Sequence, residues 1–233
     1  MRRLIVVAAM IAVILAAVAI FSKVETVSVE GNHRYGAEEI LAVSELEPGG
    51  NLWTASERAV RASVKSAFPY IADVQLIRKF PDTLIIRVTE AEPAAKIQLP
   101  DGTFALISAD GTVLSVEESI VTEGIMLTGL TITECIPGHT LSVDESSTET
   151  LNYVKELLQQ LREYDLLGRV TYLQASIVNP KFDLDGKYVV EIGTRNGTDD
   201  KLSMLIRTLG ELQDSERGRI VLSVRGEAHF IPN

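Results

Sequence analysis

An α+β body carried behind a single N-terminal transmembrane helix is the fold class this sequence predicts, and three observations predict it. Residues 4–21 form an uncharged apolar run, LIVVAAMIAVILAAVAIF. Behind it, stretches with the two-residue period of strands and stretches with helical period follow in the order strand, helix, helix, strand, strand. From Ala91 onward short strand-like stretches separated by turn signals dominate, joined by two longer helical ones. Of the 233 residues 46% are apolar, enough to close a core, so a disordered polymer is excluded.

At about 1.5 Å per residue the 18 residues of Leu4–Phe21 reach roughly 27 Å, close to the ~30 Å of a bilayer's hydrocarbon. Arg2 and Arg3 precede the run and Lys23 follows it, so positive-inside bias leaves residues 1–3 as a cytoplasmic tail and exports the remainder. The tripeptide Ala17-Val18-Ala19 has the small-x-small form of a signal-cleavage site. The run exceeds the usual ~7–15 residues of a signal core and lacks a polar stretch before that site, which favours a retained anchor.

In the exported part, Val27 and Val29 alternate with Thr26, Ser28 and Glu30, the pattern of a half-buried strand ended by Gly31-Asn32. A short helix is expected over 37–43, and Pro48-Gly49-Gly50 breaks the chain. Thr54-x-x-Glu57 has capping-box spacing ahead of Val60, Val64, Ala67 and Phe68, and Pro69 stops that helix. Strands over 71–78 and 83–90 are joined through Phe80-Pro81-Asp82. This 23–91 unit can bury one sheet face under two helices, and 92–233 forms a second domain.

In that second domain, Pro100-Asp101-Gly102 and Asp110-Gly111 predict a meandering antiparallel sheet. Ser146-x-x-Glu149 is expected to cap a helix with Leu151, Val154, Leu158 and Leu161 on one face. Strands over 170–178 and 188–192 flank an Asp185-Gly186 turn, and Thr198 or Asp199 caps a helix carrying Leu202, Leu205, Ile206, Leu209 and Leu212. A last strand is expected over 219–224.

Charge and chemistry narrow the function. Beyond residue 21 stand 32 acids against 20 Lys and Arg, a net of −12, which disfavours a nucleic-acid surface. Cys135 is the single cysteine, so no intrachain disulfide forms. His33, His139 and His229 lack metal-ligand spacing, and no nucleophile or phosphate-loop motif occurs, so no catalytic residue, cofactor or metal is assigned. Glu38-Glu39 and Asp199-Asp200 stand at helix starts, where acids complement the macrodipole, and Asp183–Gly186 lacks the later ligands of a calcium loop. Arg58, Arg61 and Lys65 line one helix face, a solvated face or a surface for an anionic headgroup or acidic partner.

The strings VETVSVEGNHRYGAEEI, GGNLW, Pro69–Val74 and RKFPDTLIIRVTEAEPAA, in that order, resemble the POTRA domain of the FtsQ/DivIB bacterial cell-division proteins. ISADGTVL at 107–114, the Lys201-Leu202 helix and the Ile220–Ser223 strand resemble the family's β domain. Val221 stands where relatives often carry an acid.

The resemblance implies a non-enzymatic scaffold at the division septum. Such a scaffold recruits bitopic partners of the FtsB/DivIC and FtsL type outside the membrane, upstream of septal peptidoglycan synthesis, with no small-molecule substrate. A strand at the sheet edge would accept a partner strand, with Ile220, Val221, Leu222, Ser223 and Val224 as contact residues. An anchored ligand-binding sensor, a POTRA-containing assembly factor and a wall hydrolase are the competing readings.

Overall fold

A computed structural model describes residues 5–7, 9–11, 23–119, 124–213, 215–222 and 227–232. Of the expected anchor, 5–7 and 9–11 are helical and the rest of Leu4–Phe21 lies outside the described residues. Among the described residues no helix is long and apolar enough to cross a membrane. The chain divides into two compact units, Met1–Ala91 and Glu92–Asn233.

Unit 1 contains a three-stranded sheet in the order β1-β3-β2. Strand β1 (Thr26–Glu30) runs parallel to β3 (Thr83–Glu90), and β2 (Ile71–Lys79) pairs antiparallel with it. Helices α1 (Ala37–Ser44) and α2 (Glu57–Ala67) supply Ile40, Val60 and Val64 to a core shared with Val74, Leu76, Leu84, Ile86 and Val88. The strand-helix-helix-strand-strand order therefore stands.

The cap of α2 differs from expectation. Ser56 Oγ accepts from Ala59 N–H at 3.3 Å, whereas the Thr54 hydroxyl donates to the Asn51 carbonyl at 3.0 Å. The turn at Asn51–Thr54 engages the threonine and moves the helix start two residues on.

Unit 2 is built on a sheet of nine strands. They are β4 (Ala95–Gln98), β5 (Phe104–Ile107), β6 (Val113–Glu117), β7 (Ile125–Thr128), β10 (Val170–Gln174), β11 (Lys181–Leu184), β12 (Tyr188–Glu191), β13 (Gly218–Leu222) and β14 (Ala228–Pro232). The order is β14-β13-β12-β11-β10-β7-β4-β5-β6, and β8 (Ile132–Glu134) pairs separately with β9 (Ser142–Val143).

The expected antiparallel sheet is corrected to a mixed one: β7 runs parallel to both β4 and β10, and β12 parallel to β13. The reason lies in what separates the strands. Helix α3 (Thr148–Glu163) falls between β7 and β10, and α4 (Thr198–Glu211) between β12 and β13, giving the crossover length that a parallel pair requires.

Leu151, Val154, Leu157, Leu158 and Leu161 of α3 and Leu202 and Leu205 of α4 form one core with Leu173, Phe182, Leu184, Val190, Ile220 and Leu222. Ile206, expected on the apolar face, is 41% exposed. Ser146 donates its hydroxyl to Asp144, whose carboxylate accepts from Ser147 N–H at 2.9 Å and caps the short 3-10 turn (Glu145–Ser147) ahead of α3. A charged acceptor at a helix entrance displaces a neutral one. The strand expected over 170–178 stops at Gln174, and β11 precedes the Asp185-Gly186 turn.

Candidate protein-docking edge

Each sheet has two outer edges, and an outer edge is where unpaired backbone groups can receive another chain. In unit 1, β2 carries a bulge between Ile71 and Asp73, and Arg61 Nε reaches from α2 to donate to the Val74 carbonyl at 3.1 Å. That edge is obstructed. Strand β1 runs beside α1, with Val27, Leu41 and Leu46 lining one recess of ≈ 430 Å³.

In unit 2, the 138–140 segment covers the start of β6: Val113 N–H donates to the His139 carbonyl and Gly138 N–H to the Val113 carbonyl, both at 2.8 Å. At the opposite end stands β14, paired through all five residues with β13 and without a partner strand on its other side among the described residues.

The expected contact strand is therefore one strand further in. Ile220 pairs with Val190 on one side and Phe230 on the other, so the backbone of β13 is engaged by both neighbours. Ile220 and Leu222 are buried beneath the helices, Val221 lies on the opposite face, and Ser223 and Val224 fall outside the described residues. The edge passes to Ala228-His229-Phe230-Ile231-Pro232. The sequence marks it weakly: Ile231 breaks the polar alternation begun by His229, and only Pro232, a residue that sheets tolerate at an edge, points to an outer strand.

Which backbone groups β14 presents follows from β13. Gly218 N–H donates to the Lys187 carbonyl at 3.2 Å, so Gly218, Ile220 and Leu222 turn their amides toward β12, while Arg219 and Val221 turn theirs toward β14. Their register partners, Ile231 and His229, complete those bonds. Ala228 and Phe230 consequently aim N–H and C=O outward, and Pro232, with no N–H to offer, continues the same outward series.

A charged cluster braces these last strands. The Glu191 side chain, 13% exposed, accepts from Lys181 Nζ at 3.0 Å, Asn179 Nδ2 at 3.2 Å and Arg219 at 3.4 Å, joining β11, β12 and β13. The Lys181 hydrogen bond holds the Glu191 carboxyl below its ordinary pKa, with burial opposing and Asn179 and Arg219 assisting. A carboxyl so depressed stabilises the fold above its unfolded pKa of about 4.3, and that contribution is lost as pH falls through the folded value. Glu191→Gln is thus expected to lower the unit 2 melting temperature by a few degrees at pH 7, with the gap closing below pH ~4 in a pH series of thermal melts.

Other candidate groups carry structural contacts. Glu39 Oε2 accepts from Gly36 N–H at 2.9 Å, Asp199 accepts from the Tyr164 hydroxyl at 2.7 Å, and Asp185 pairs with Arg169 at 2.6 Å. Arg61 bridges Glu57 and Asp73, while Arg58 and Lys65 are exposed. Lys201 is 2% exposed and donates to the Thr194 carbonyl at 2.5 Å, closing the loop before α4. Among the described residues no group of three or more His, Cys, Asp or Glu could hold a metal ion.

The family description "POTRA domain, FtsQ-type" matches residues 22–91. Over 79 residues the chain is 42% identical to the cell division protein FtsQ of Syntrophotalea carbinolica, covering 34% of this chain and 28% of that protein. Over 214 residues it is 27% identical to the cell division protein DivIB of Clostridium botulinum strain Hall, covering 90% of this chain and 82% of that protein. Residues 22–91 are thus similar to FtsQ-type POTRA domains, and the chain through most of its length is similar to DivIB. The FtsQ similarity is concentrated in about one third of the chain, whereas the DivIB similarity extends through both units. The β14 edge lies beyond the FtsQ-type POTRA match, in unit 2.

Proposed function

We propose that this chain is a membrane-anchored, non-enzymatic scaffold of the bacterial division machinery, held by Leu4–Phe21 with both units outside the membrane. It recruits bitopic division proteins of the FtsB/DivIC and FtsL type at the septum. The relatives are named as cell division proteins, and the apolar run has the length and flanking charge of an anchor.

The observation that carries the recruitment step is the outer side of β14, two residues of which aim both backbone groups away from the sheet. A partner strand adds there through main-chain bonds, and the side chains of His229 and Ile231, both exposed, help select it. Ile220, Val221 and Leu222 support this edge from the adjacent strand.

Ala228→Pro tests the reading. It deletes an outward N–H, leaves the bonds of His229 and Ile231 to β13, and adds little bulk. Partner capture by the full chain is expected to fall at least about tenfold, the equivalent of 1.4 kcal/mol, with an unchanged melting temperature. Undiminished capture by the folded variant would remove β14 as the docking edge.

A further inference from the structure

The two most exposed aromatic side chains among the described residues, Phe80 at 63% and Trp53 at 58%, occur at the same end of unit 1. Strand pairing places them there. Thr26 at the start of β1 registers with Thr83 at the start of β3, and Lys79 at the end of β2 registers with the same Thr83. The Phe80–Asp82 turn thus adjoins the point where the chain enters the domain, and the Asp82 carbonyl accepts from Glu25 N–H at 2.8 Å. The loop bearing Trp53 is tied to that point too: Val24 N–H donates to the Gly50 carbonyl at 2.8 Å, and Gly49 N–H to the Val24 carbonyl at 2.7 Å. Arg78 joins the two loops by donating to the Leu52 and Ala55 carbonyls at 3.1 and 2.6 Å.

Val24 follows the last residue of the apolar run, Phe21, by three positions, so it lies at most about 11 Å from the end of that run. The headgroup zone of one leaflet is about 5–7 Å deep. We infer that this end of unit 1 rests on the bilayer, with Trp53 and Phe80 inserted into the lipid interface, an inference that depends on Leu4–Phe21 being the retained anchor proposed above. Indole and phenyl rings partition to that boundary. Charge contributes little, because the segments that meet at this end carry Lys23, Arg78 and Lys79 against Glu25, Glu47 and Asp82, equal numbers of each sign. The contact is therefore aromatic and insensitive to lipid charge. It fixes the tilt of unit 1 on the membrane.

Trp53 is the only tryptophan, so its emission reports the contact directly. The full chain is reconstituted into phosphatidylcholine vesicles, with and without phosphatidylglycerol, and with dibrominated phosphatidylcholine as quencher. Co-flotation with vesicles, a blue-shifted emission and about twofold quenching in both compositions are expected, with quenching reduced in Phe80→Ser. Co-flotation with an unshifted, unquenched Trp53 would overturn this contact and leave the anchor reading standing. Failure to float would remove both. Quenching confined to anionic vesicles, or protection of Trp53 only after a protein partner is added, would likewise overturn it.

Discussion

Replacing Gly218 with alanine is expected to strip β14 from the sheet while the core beneath the helices survives. A Cβ at this position would stand 2.2 Å from the Ile231 carbonyl oxygen and 3.0 Å from Phe230 Cε2. The ring could turn; the carbonyl belongs to a backbone that already bonds to β13. Gly218 cannot retreat, because its N–H is held by the Lys187 carbonyl and β12 lies behind it. The strain therefore falls on β14, which has one neighbouring strand among the described residues and contributes Phe230, packed edge-on to Tyr188 with ring centroids 6.2 Å apart.

Overpacking of this kind costs about 1–3 kcal/mol, enough to detach a five-residue edge and too little to unfold a large core. Hydrogen exchange should show lost protection at 228–232 with retained protection in α3 and α4, and partner capture should vanish. Ala228→Pro should lose capture with β14 still protected, so the two variants separate a missing edge from a blocked one. Normal exchange and normal capture in Gly218→Ala would show that Ile231 can move away without cost, against the close approach seen here.

How far sequence alone reached can be judged from these same strands. In unit 1 the alternation of Val27 and Val29, the helical spacing of Val60 and Val64, and the turn at Pro81-Asp82 all act within a few residues, and the elements formed in the expected order, with the start of α2 shifted by two residues. In unit 2 the spacing of Leu151, Val154, Leu158 and Leu161 identified the buried face of α3 for the same reason. Parallel pairing of β7 with β4 and β10 was not legible, because it depends on which distant strands meet rather than on local period. The same holds for the docking edge. The apolar residues of β13 marked a strand, but only the pairing of Ile220 with both Val190 and Phe230 reveals an interior one. The Glu191 cluster draws on Asn179, Lys181 and Arg219, separated in the chain and joined by register.

Gly31→Ala should unfold unit 1 or sharply lower its melting transition while that of unit 2 is preserved. Gly31 has φ +84, and an added Cβ would lie 2.3 Å from the Val88 carbonyl oxygen. Val88 is buried in β3, the central strand, fixed between β1 and β2. The loop after Gly31 is also pinned: the Glu90 carboxylate accepts from His33 and Arg34 N–H groups, each at 2.9 Å, and the Arg34 guanidinium lies 3.8 Å from the Tyr70 ring centroid. Neither side can yield cheaply. A left-handed φ costs a non-glycine residue about 1–3 kcal/mol, and the steric conflict about as much again. Together these consume a large share of the ~5–15 kcal/mol typical of a whole domain. Trp53 emission follows unit 1 alone, since the only tryptophan lies there, so the transition can be read by fluorescence against a circular-dichroism melt of both units. Gly31→Asn discriminates the two contributions. Asparagine tolerates positive φ better than alanine but brings the same Cβ toward the Val88 carbonyl, so a contact of 2.3 Å predicts that it fails nearly as badly. Near-native stability in Gly31→Asn would mean that φ alone, and not the approach of β3, requires glycine here.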